Sequence, residues 1–251
     1  MPGAVVQLCG RLVVELAGDR VESRLPGRQG RILFAYLALN RDRAVGRPEL
    51  VDALWASELP RDPYDTLAVI LSKLRAAVGN DVIAGRSELQ LMLPPDANVD
   101  VERAVRLAHE AESACILENW ARAWGASLGA QMVAKRSLLG EYDAIWIDEW
   151  RRVLDDVLGR SLECYARACL GLGGTELAGA ERAARALIRS APLRESAYGH
   201  LMQTLEARGN AAEALLVYDD LRRRLREELG VAPSESLQTV YRRLLGASST
   251  D

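Results

Sequence analysis

The spacing of hydrophobic residues changes twice in the first hundred positions. Residues 5–9, 12–16 and 21–25 are apolar or alternating and contain β-branched side chains, which predicts a small antiparallel sheet. Apolar residues then recur at helical spacing in three segments, followed by two short β-like runs around a glycine-containing turn. Strands, three helices and a hairpin in this order predict a winged helix-turn-helix with an extra N-terminal sheet. The helices are expected near 27–40, 48–55 and 63–79, and the hairpin at 82–93.

Beyond Pro94-Pro95-Asp96 the apolar spacing is helical to the end of the chain. Two prolines and an aspartate continue neither a strand nor a helix well, so they predict a boundary between domains 1–96 and 97–251. Helices are expected near 99–113, 117–133, 144–171, 175–190, 194–208, 210–229 and 234–245.

The second domain contains a set of residues that recurs after 34 positions, the period of tetratricopeptide-type helix pairs, and this repeat is called the echo. The residues that recur are Ala180, Ala184 and Leu187, which return as Ala214, Tyr218 and Leu221, and Cys164 and Ala168, which return as Tyr198 and Met202. The predicted fold class is therefore mostly α with a small β component. It is a winged helix-turn-helix domain followed by an all-α, TPR-like helical domain.

Composition and motif spacing exclude several classes of protein function. The 251 residues are 49% hydrophobic and 27% charged with a net charge of −3, which is typical of a globular protein and not of one that binds nucleic acid by bulk charge. The four cysteines lack zinc-site spacing, and no phosphate loop, carboxylate pair or nucleophile motif stands out. No stretch resembles a signal peptide or is long enough to span a membrane. We expect a cytoplasmic protein that is not an enzyme and has no cofactor, metal or membrane contact.

The third predicted helix has two distinct faces. One is an apolar stripe at positions 67, 70, 71, 74 and 78, and the opposite face carries Val69, Ser72 and Ala76 beside Asp65. In a winged helix the third helix lies in the major groove, so such a face meets base edges. Ser72 would pair with several bases, and Val69 would contact a thymine methyl group.

Cationic residues near this helix are candidates for phosphate contacts. Lys73, Arg75 and Arg86 would neutralise phosphates, and further arginines add positive charge around the first helix: Arg28, Arg31, Arg41, Arg43 and Arg47. A second interpretation stays open, because any core helix shows one apolar stripe and this outer face lacks the usual base-reading Arg or Asn. Asp65 would also repel phosphate.

Several motifs are more specific than the pattern of elements. In the first part they are Gly27 with Arg31-Ile32-Leu33 and Leu37, Pro48-Glu49-Leu50 with Ala53-Leu54-Trp55, and Leu71-Ser72-Lys73-Leu74-Arg75. In the second part they are Trp146-Ile147-Asp148, Pro192-Leu193-Arg194-Glu195, Leu201-Met202, Gly209-Asn210 with Glu213-Ala214-Leu215, Tyr218, and Glu228-Leu229-Gly230-Val231 with Pro233-Ser234. The first set resembles the DNA-binding domain of the Streptomyces antibiotic regulatory protein family, which is similar in fold to the winged helices of OmpR-type response regulators. The second set resembles that family's bacterial transcriptional activation domain.

The resemblance implies a sequence-specific transcriptional regulator, and more narrowly an activator. The winged helix would bind direct repeats in double-stranded promoter DNA, and the loop at residues 56–61 would face RNA polymerase. The helical domain would mediate homodimerisation, the sensing of a small-molecule effector or contact with the polymerase.

Two departures from the family pattern concern individual contact residues, and an alternative function stays open because the N-terminal domain is nearly neutral and its recognition face is sparse. Family hairpins carry Gly-Tyr where this chain has Glu88-Leu89, and Asp65 stands where a polar uncharged residue is common. The alternative is a TPR-like protein-interaction adaptor whose winged helix no longer binds DNA. Four tryptophans, at 120, 124, 146 and 150, are interpreted as packing residues, with the wall of an effector pocket or a dimer contact as the other interpretation.

Overall fold

The computed structural model describes residues 3–55 and 58–247. Helices dominate and the strands are short, so the predicted fold class is confirmed. The strands are β1 Val5–Gln7, β2 Val13–Leu16, β3 Asp19–Arg20, β4 Val45–Gly46, β5 Ile83–Ala84, β6 Glu88–Leu91 and β7 Asn98–Val99. The helices are α1 Gly27–Leu39, α2 Arg47–Trp55, α3 Pro63–Val78, α4 Asp100–Ile116, α5 Trp120–Ala134, α6 Ile145–Leu172, α7 Leu177–Ser190, α8 Glu195–Ala207, α9 Ala211–Leu229 and α10 Glu235–Ala247.

The N-terminal sheet has the strand order β3-β2-β1-β7. Its third strand forms at Asp19–Arg20 and not at residues 21–25, because the chain reverses directly after β2 and pairs Leu16 with Asp19. Gly18 allows this tight turn with a φ of 88°. The sequence also did not predict β7, which is two residues long and pairs in parallel with β1, Val6 opposite Val99.

Three helices and a second sheet, with the order β4-β6-β5, form the winged helix. α1 packs against both α2 and α3. The buried side chains that join them are Leu33, Phe34, Leu37, Leu50, Leu67, Leu71, Leu74 and Leu89. Pro63 begins α3 as predicted, but the Asp62 side chain forms no cap. Its backbone carbonyl accepts a hydrogen bond from the Thr66 hydroxyl instead, at 2.8 Å.

The described chain divides into two compact units. One contains the residues up to Val105 together with Val133–Asp155, and the other contains Arg106–Met132 and the residues from Asp156 onward. A bridge between Cys9 and Leu138 and a hydrogen bond from the Leu139 N–H to the Leu8 carbonyl hold the returning segment within the first unit. The predicted division into domains 1–96 and 97–251 also assigns a separate function to each part, so it stays a prediction.

The second unit contains the repeated helices. All ten residues of the echo are buried, namely Cys164, Ala168, Ala180, Ala184, Leu187, Tyr198, Met202, Ala214, Tyr218 and Leu221. α8 packs between α7 and α9, and the small side chains of Ala180, Ala184 and Ala214 in the flanking helices allow this close approach. The Tyr218 ring stacks on the Tyr241 ring of α10, with centroids 4.1 Å apart. The helical repeat that the spacing predicted is therefore confirmed.

One carboxylate, that of Asp100, connects the start of α4 to the N-terminal sheet. Its Oδ1 accepts hydrogen bonds from the N–H groups of Leu8 at 3.0 Å and Val101 at 2.9 Å, and its Oδ2 accepts from the Cys9 N–H at 2.9 Å. Burial raises the pKa of Asp100 although these three donors act in the opposite direction. The side chain is thus a partly buried acceptor whose removal leaves three backbone donors without a partner.

We expect Asp100→Ala to lower the free energy of unfolding by about 3 kcal/mol, because buried donors lose their acceptor. Urea denaturation of the full chain measures this change. Asp155→Ala, at an exposed position, is the matched control and should change stability by less than about 0.5 kcal/mol. Equal effects of the two substitutions would contradict the anchoring role of Asp100.

Candidate nucleic-acid interface

α3 exposes the face that the sequence assigned to DNA. Val69 is 54% exposed, and Ser72, Lys73 and Ala76 are exposed as well, whereas the opposite stripe is buried in the winged-helix core. Lys73 forms no ion pair or hydrogen bond with the described residues. The structure thus places four of the predicted site residues together on one accessible helix face.

An exposed aromatic residue, Tyr64, extends this face and was absent from the sequence-based set. It lies in the first turn of α3 and is 50% exposed. Positions 64, 68 and 72 are separated by four residues each, so Tyr64 shares a stripe with Ala68 and Ser72. The same spacing was available in the sequence. Asp65 is also exposed here and opposes the approach of phosphate.

The hairpin β5–β6 is the wing, and Arg86 is exposed in its turn. Gly85 has a φ of 90°, and a Cβ at this position would lie 1.9 Å from the Glu88 carbonyl oxygen, so only glycine fits. Arg47, at the start of α2, donates from Nε to the Arg86 carbonyl at 2.7 Å. This contact fixes the wing turn and leaves the Arg86 guanidinium group accessible.

Arg75 has a structural role that the sequence did not predict. Its Nε donates to the Ile83 carbonyl at 3.3 Å, and its Nη2 donates to the Gly85 carbonyl at 2.6 Å. The guanidinium group therefore joins the last turns of α3 to the wing. A contact between Arg75 and a phosphate stays a prediction. Only the N–H groups of Arg75 that do not bind these two carbonyls would form that contact.

The arginines around α1 are largely engaged within the protein. Arg28 donates to the Glu141 carbonyl at 3.4 Å, and its guanidinium carbon lies 5.2 Å from the centroid of the Tyr142 ring. Arg41 forms a two-point ion pair with Glu102 at 2.6 and 2.8 Å. Arg43 pairs with Glu49, Nη1 to Oε2, at 3.1 Å. The positive charge expected around α1 is therefore partly neutralised, and the Arg28 side chain binds the segment at 141–142.

Three of the four tryptophans, Trp120, Trp124 and Trp146, pack against neighbouring residues as the first interpretation expects, and an effector pocket or dimer contact stays a prediction. The Trp146 ring meets the Tyr36 ring edge-on with centroids 5.0 Å apart, and its Nε1 donates to the Ala53 carbonyl at 3.1 Å. Burial and a hydrogen bond to Glu49 raise the pKa of Tyr36 to about 12. Trp120 and Trp124 pack on the buried cluster of α4, α5 and α6. Trp146 thereby holds the C-terminal turn of α2, directly before the loop to α3.

The described residues also bear on metal sites and membrane spans. Within residues 3–55 and 58–247, no group of three or more His, Cys, Asp or Glu side chains is arranged to hold a metal ion. Among the helices that the structure describes, none combines the length and apolar character needed to cross a bilayer.

The architecture is that of a winged helix-turn-helix protein with a stack of helices in the same chain. Residues 99–245 match the family described as the bacterial transcriptional activator domain. This match covers more than half of the sequence, so the chain belongs to that family. The resemblance to Streptomyces antibiotic regulatory proteins seen in the motifs is confirmed.

The curated relatives are regulators. The regulatory protein AfsR of Streptomyces griseus is 29% identical over 232 residues, which cover 87% of this chain and 22% of AfsR. The regulatory protein DnrI of Streptomyces peucetius is 27% identical over 262 residues, covering 96% of this chain and 92% of DnrI. This chain thus spans about a fifth of the length of AfsR but nearly all of DnrI. The family's description names transcriptional activation, and both relatives carry the name regulatory protein.

A solved structure shares the fold over nearly the whole chain. It is titled Mycobacterium tuberculosis EmbR in complex with low affinity phosphopeptide, and it matches with a TM-score of 0.82 at 22% identity. The match covers 97% of this chain and 65% of that chain. The transcriptional regulatory protein EmbR of Mycobacterium tuberculosis is also a sequence relative, 26% identical over 264 residues.

We expect Arg75→Ala to lower the free energy of unfolding by about 1–2 kcal/mol, because α3 and the wing lose two shared hydrogen bonds. Lys73→Ala, two positions away on the same helix, is the matched control and should change stability by less than about 0.5 kcal/mol. Chemical denaturation of both variants tests this difference. If Arg75→Ala left stability unchanged, its contacts with the wing would not be structural ones.

Proposed function

We propose that this chain is a sequence-specific, DNA-binding regulator of transcription, and that it acts as an activator. The observation that carries the proposal is the exposed face of α3, where Val69, Ser72 and Ala76 surround the unpaired Lys73. These side chains are small enough to let the helix approach base edges closely, and a helix of this kind enters the major groove in winged-helix proteins. Membership of a family of bacterial transcriptional activator domains supports the same function.

Each part of the winged helix has a role in this proposal. Ser72 donates to or accepts from base edges, Val69 contacts a thymine methyl group, and Lys73 binds a phosphate beside the groove. Arg86 extends from the wing to the adjacent backbone. The accessible, unpaired cations of the predicted set are few, so sequence-specific contacts and shape supply a large share of the affinity.

Activation requires a second contact, and we assign it to the loop between α2 and α3. The loop at residues 56–61 would meet RNA polymerase. Ala56 and Ser57 lie outside the described residues, whereas Leu59 is 64% exposed. The helical unit would join two copies of the chain on direct repeats of the promoter. Homodimerisation, polymerase contact and control by a small-molecule effector are parts of the proposal.

The alternative function is a protein-interaction adaptor whose winged helix does not bind DNA. The engagement of Arg28 and Arg75 inside the protein favours it, as does the exposure of Asp65 and Glu88 near the reading face. The two functions differ in one measurable property, which is the salt dependence of DNA binding.

Selection of duplexes from a random pool, with the full chain as bait, should enrich a direct repeat. Two copies that each use Lys73 and Arg86 neutralise about four phosphates, which gives a slope of about −4 for log affinity against log salt. Fluorescence anisotropy with the enriched duplex measures this slope. Failure to enrich any sequence, at low salt and with folded protein, would contradict the regulator and leave the adaptor as the remaining function.

Substitutions on α3 should separate affinity from specificity. Lys73→Ala should weaken binding to all duplexes by a similar factor and reduce the salt slope by about one per copy. Ser72→Ala and Val69→Ala should change which sequences are enriched, because they remove base contacts. Arg222→Ala, an exposed position on α9, is the charge-matched control for Lys73→Ala and should leave the slope unchanged. A uniform loss with all three α3 variants would contradict base reading by this helix.

A further inference from the structure

The first unit contains a cavity of about 650 Å³ between α1, the turn after β1 and the segment at residues 137–142. This volume lies within the usual range for sites that bind small molecules. Leu12, Leu139 and Tyr142 supply apolar wall, and Ser23 and Ser137 supply hydroxyl groups. The cavity is separate from the exposed face of α3, and neither the family match nor the similarity to known regulators assigns it a role.

The unusual group in this cavity is the guanidinium group of Arg31. The side chain is partly buried, and its Nε is fully buried without a hydrogen-bond partner. Arg31 also forms no ion pair with the described residues, in contrast to Arg41 and Arg43, which both have a glutamate partner. A cation removed from water without a partner is costly, so partly buried arginines are normally paired.

The acids near Arg31 do not cancel its charge. Glu22 lines the same cavity but is held by Arg20, with Nη2 and Oε1 2.6 Å apart, and it accepts a hydrogen bond from the Val14 N–H. Glu141 is exposed to solvent. Arg11, also exposed, adds a second cation to the cavity. The inner wall therefore combines an unpaired guanidinium group with apolar surface.

We propose that this cavity binds a small organic molecule that carries a carboxylate or phosphate group, with Arg31 as the residue that binds its oxygen atoms. The planar guanidinium group suits both anions, because its two terminal nitrogens donate a pair of hydrogen bonds to them, whereas the fully buried Nε is out of the ligand's reach. The apolar body of the ligand packs against Leu139 and Tyr142. This site does not depend on DNA binding by the chain, so the two proposals succeed or fail separately.

The direct test is calorimetric titration of the full chain with phenyl phosphate, benzoate and neutral benzyl alcohol. Small probes of this kind should bind with a dissociation constant on the order of 1 mM when they carry the anion, and benzyl alcohol should bind at least about tenfold more weakly. Arg31→Gln should weaken the binding of phenyl phosphate by about tenfold or more. Arg24→Gln, an exposed arginine outside the cavity lining, is the matched control and should bind as the unchanged chain does.

Stability gives an independent readout for Arg31. Because Arg31 is unpaired, Arg31→Gln should unfold at the same urea concentration as the unchanged chain or at a higher one. Arg31→Lys keeps the charge but lacks the forked geometry, so it should fold and bind phenyl phosphate at an intermediate strength.

Three outcomes would overturn the proposal. The first is equal binding of phenyl phosphate by the unchanged chain and Arg31→Gln. The second is the absence of saturable binding for both phenyl phosphate and benzoate. The third is binding of inorganic phosphate as tight as that of phenyl phosphate, which would remove the organic part of the ligand. If Arg31→Gln does not fold, Arg31→Lys decides the result, since binding as strong as that of the unchanged chain would contradict two-point recognition.

Discussion

The burial of one stripe of α3 determines how this helix is oriented in the first unit and which of its faces is exposed. Leu67, Leu71 and Leu74 are almost fully buried, and each contributes about 1.5–3 kcal/mol by leaving water. Because these residues recur at helical spacing, their burial also fixes the rotation of the helix about its axis. Val69, Ser72 and Ala76 are exposed as a direct consequence. The same hydrophobic contact that stabilises the winged helix thus orients the exposed face of α3, and no separate interaction is needed to present that face.

The arginines of the first unit have different partners and therefore different roles. Arg75 and Arg47 donate to carbonyl groups of the wing and hold its shape, while Arg41 and Arg43 form ion pairs with glutamates. Exposed ion pairs contribute little to stability, but they remove positive charge from the surface. Arg31 belongs to neither group. Net charge −3 and these internal contacts leave Lys73 and Arg86 as the accessible cations of α3 and the wing, so the proposed selectivity for a DNA sequence rests on contacts with the bases.

The sequence predicted the long elements well, because their apolar positions repeat over several turns. α3, α6 and α9 begin and end within two residues of the expected positions. The two-residue strands β3, β4 and β7 were misplaced or missed, since a segment of two residues is too short to show a periodic pattern. The exposed face of α3 was likewise predictable, and the helical spacing also places Tyr64 on that face. The roles of Arg75 and Arg28 were not predictable, because their acceptors are backbone carbonyls that any residue would supply.

The parallel pairing of β1 with β7 has a consequence for how the protein folds. Val6 and Val99 are partners across the sheet, although nearly the whole first unit separates them along the chain. Closing so long a loop has a large entropic cost and makes contacts of this kind form late. During synthesis, β1 and β2 emerge from the ribosome well before β7, which leaves one edge of β1 unpaired in the meantime. An unpaired strand edge promotes association between chains, so the edge of β1 is open to such association until β7 has been synthesised.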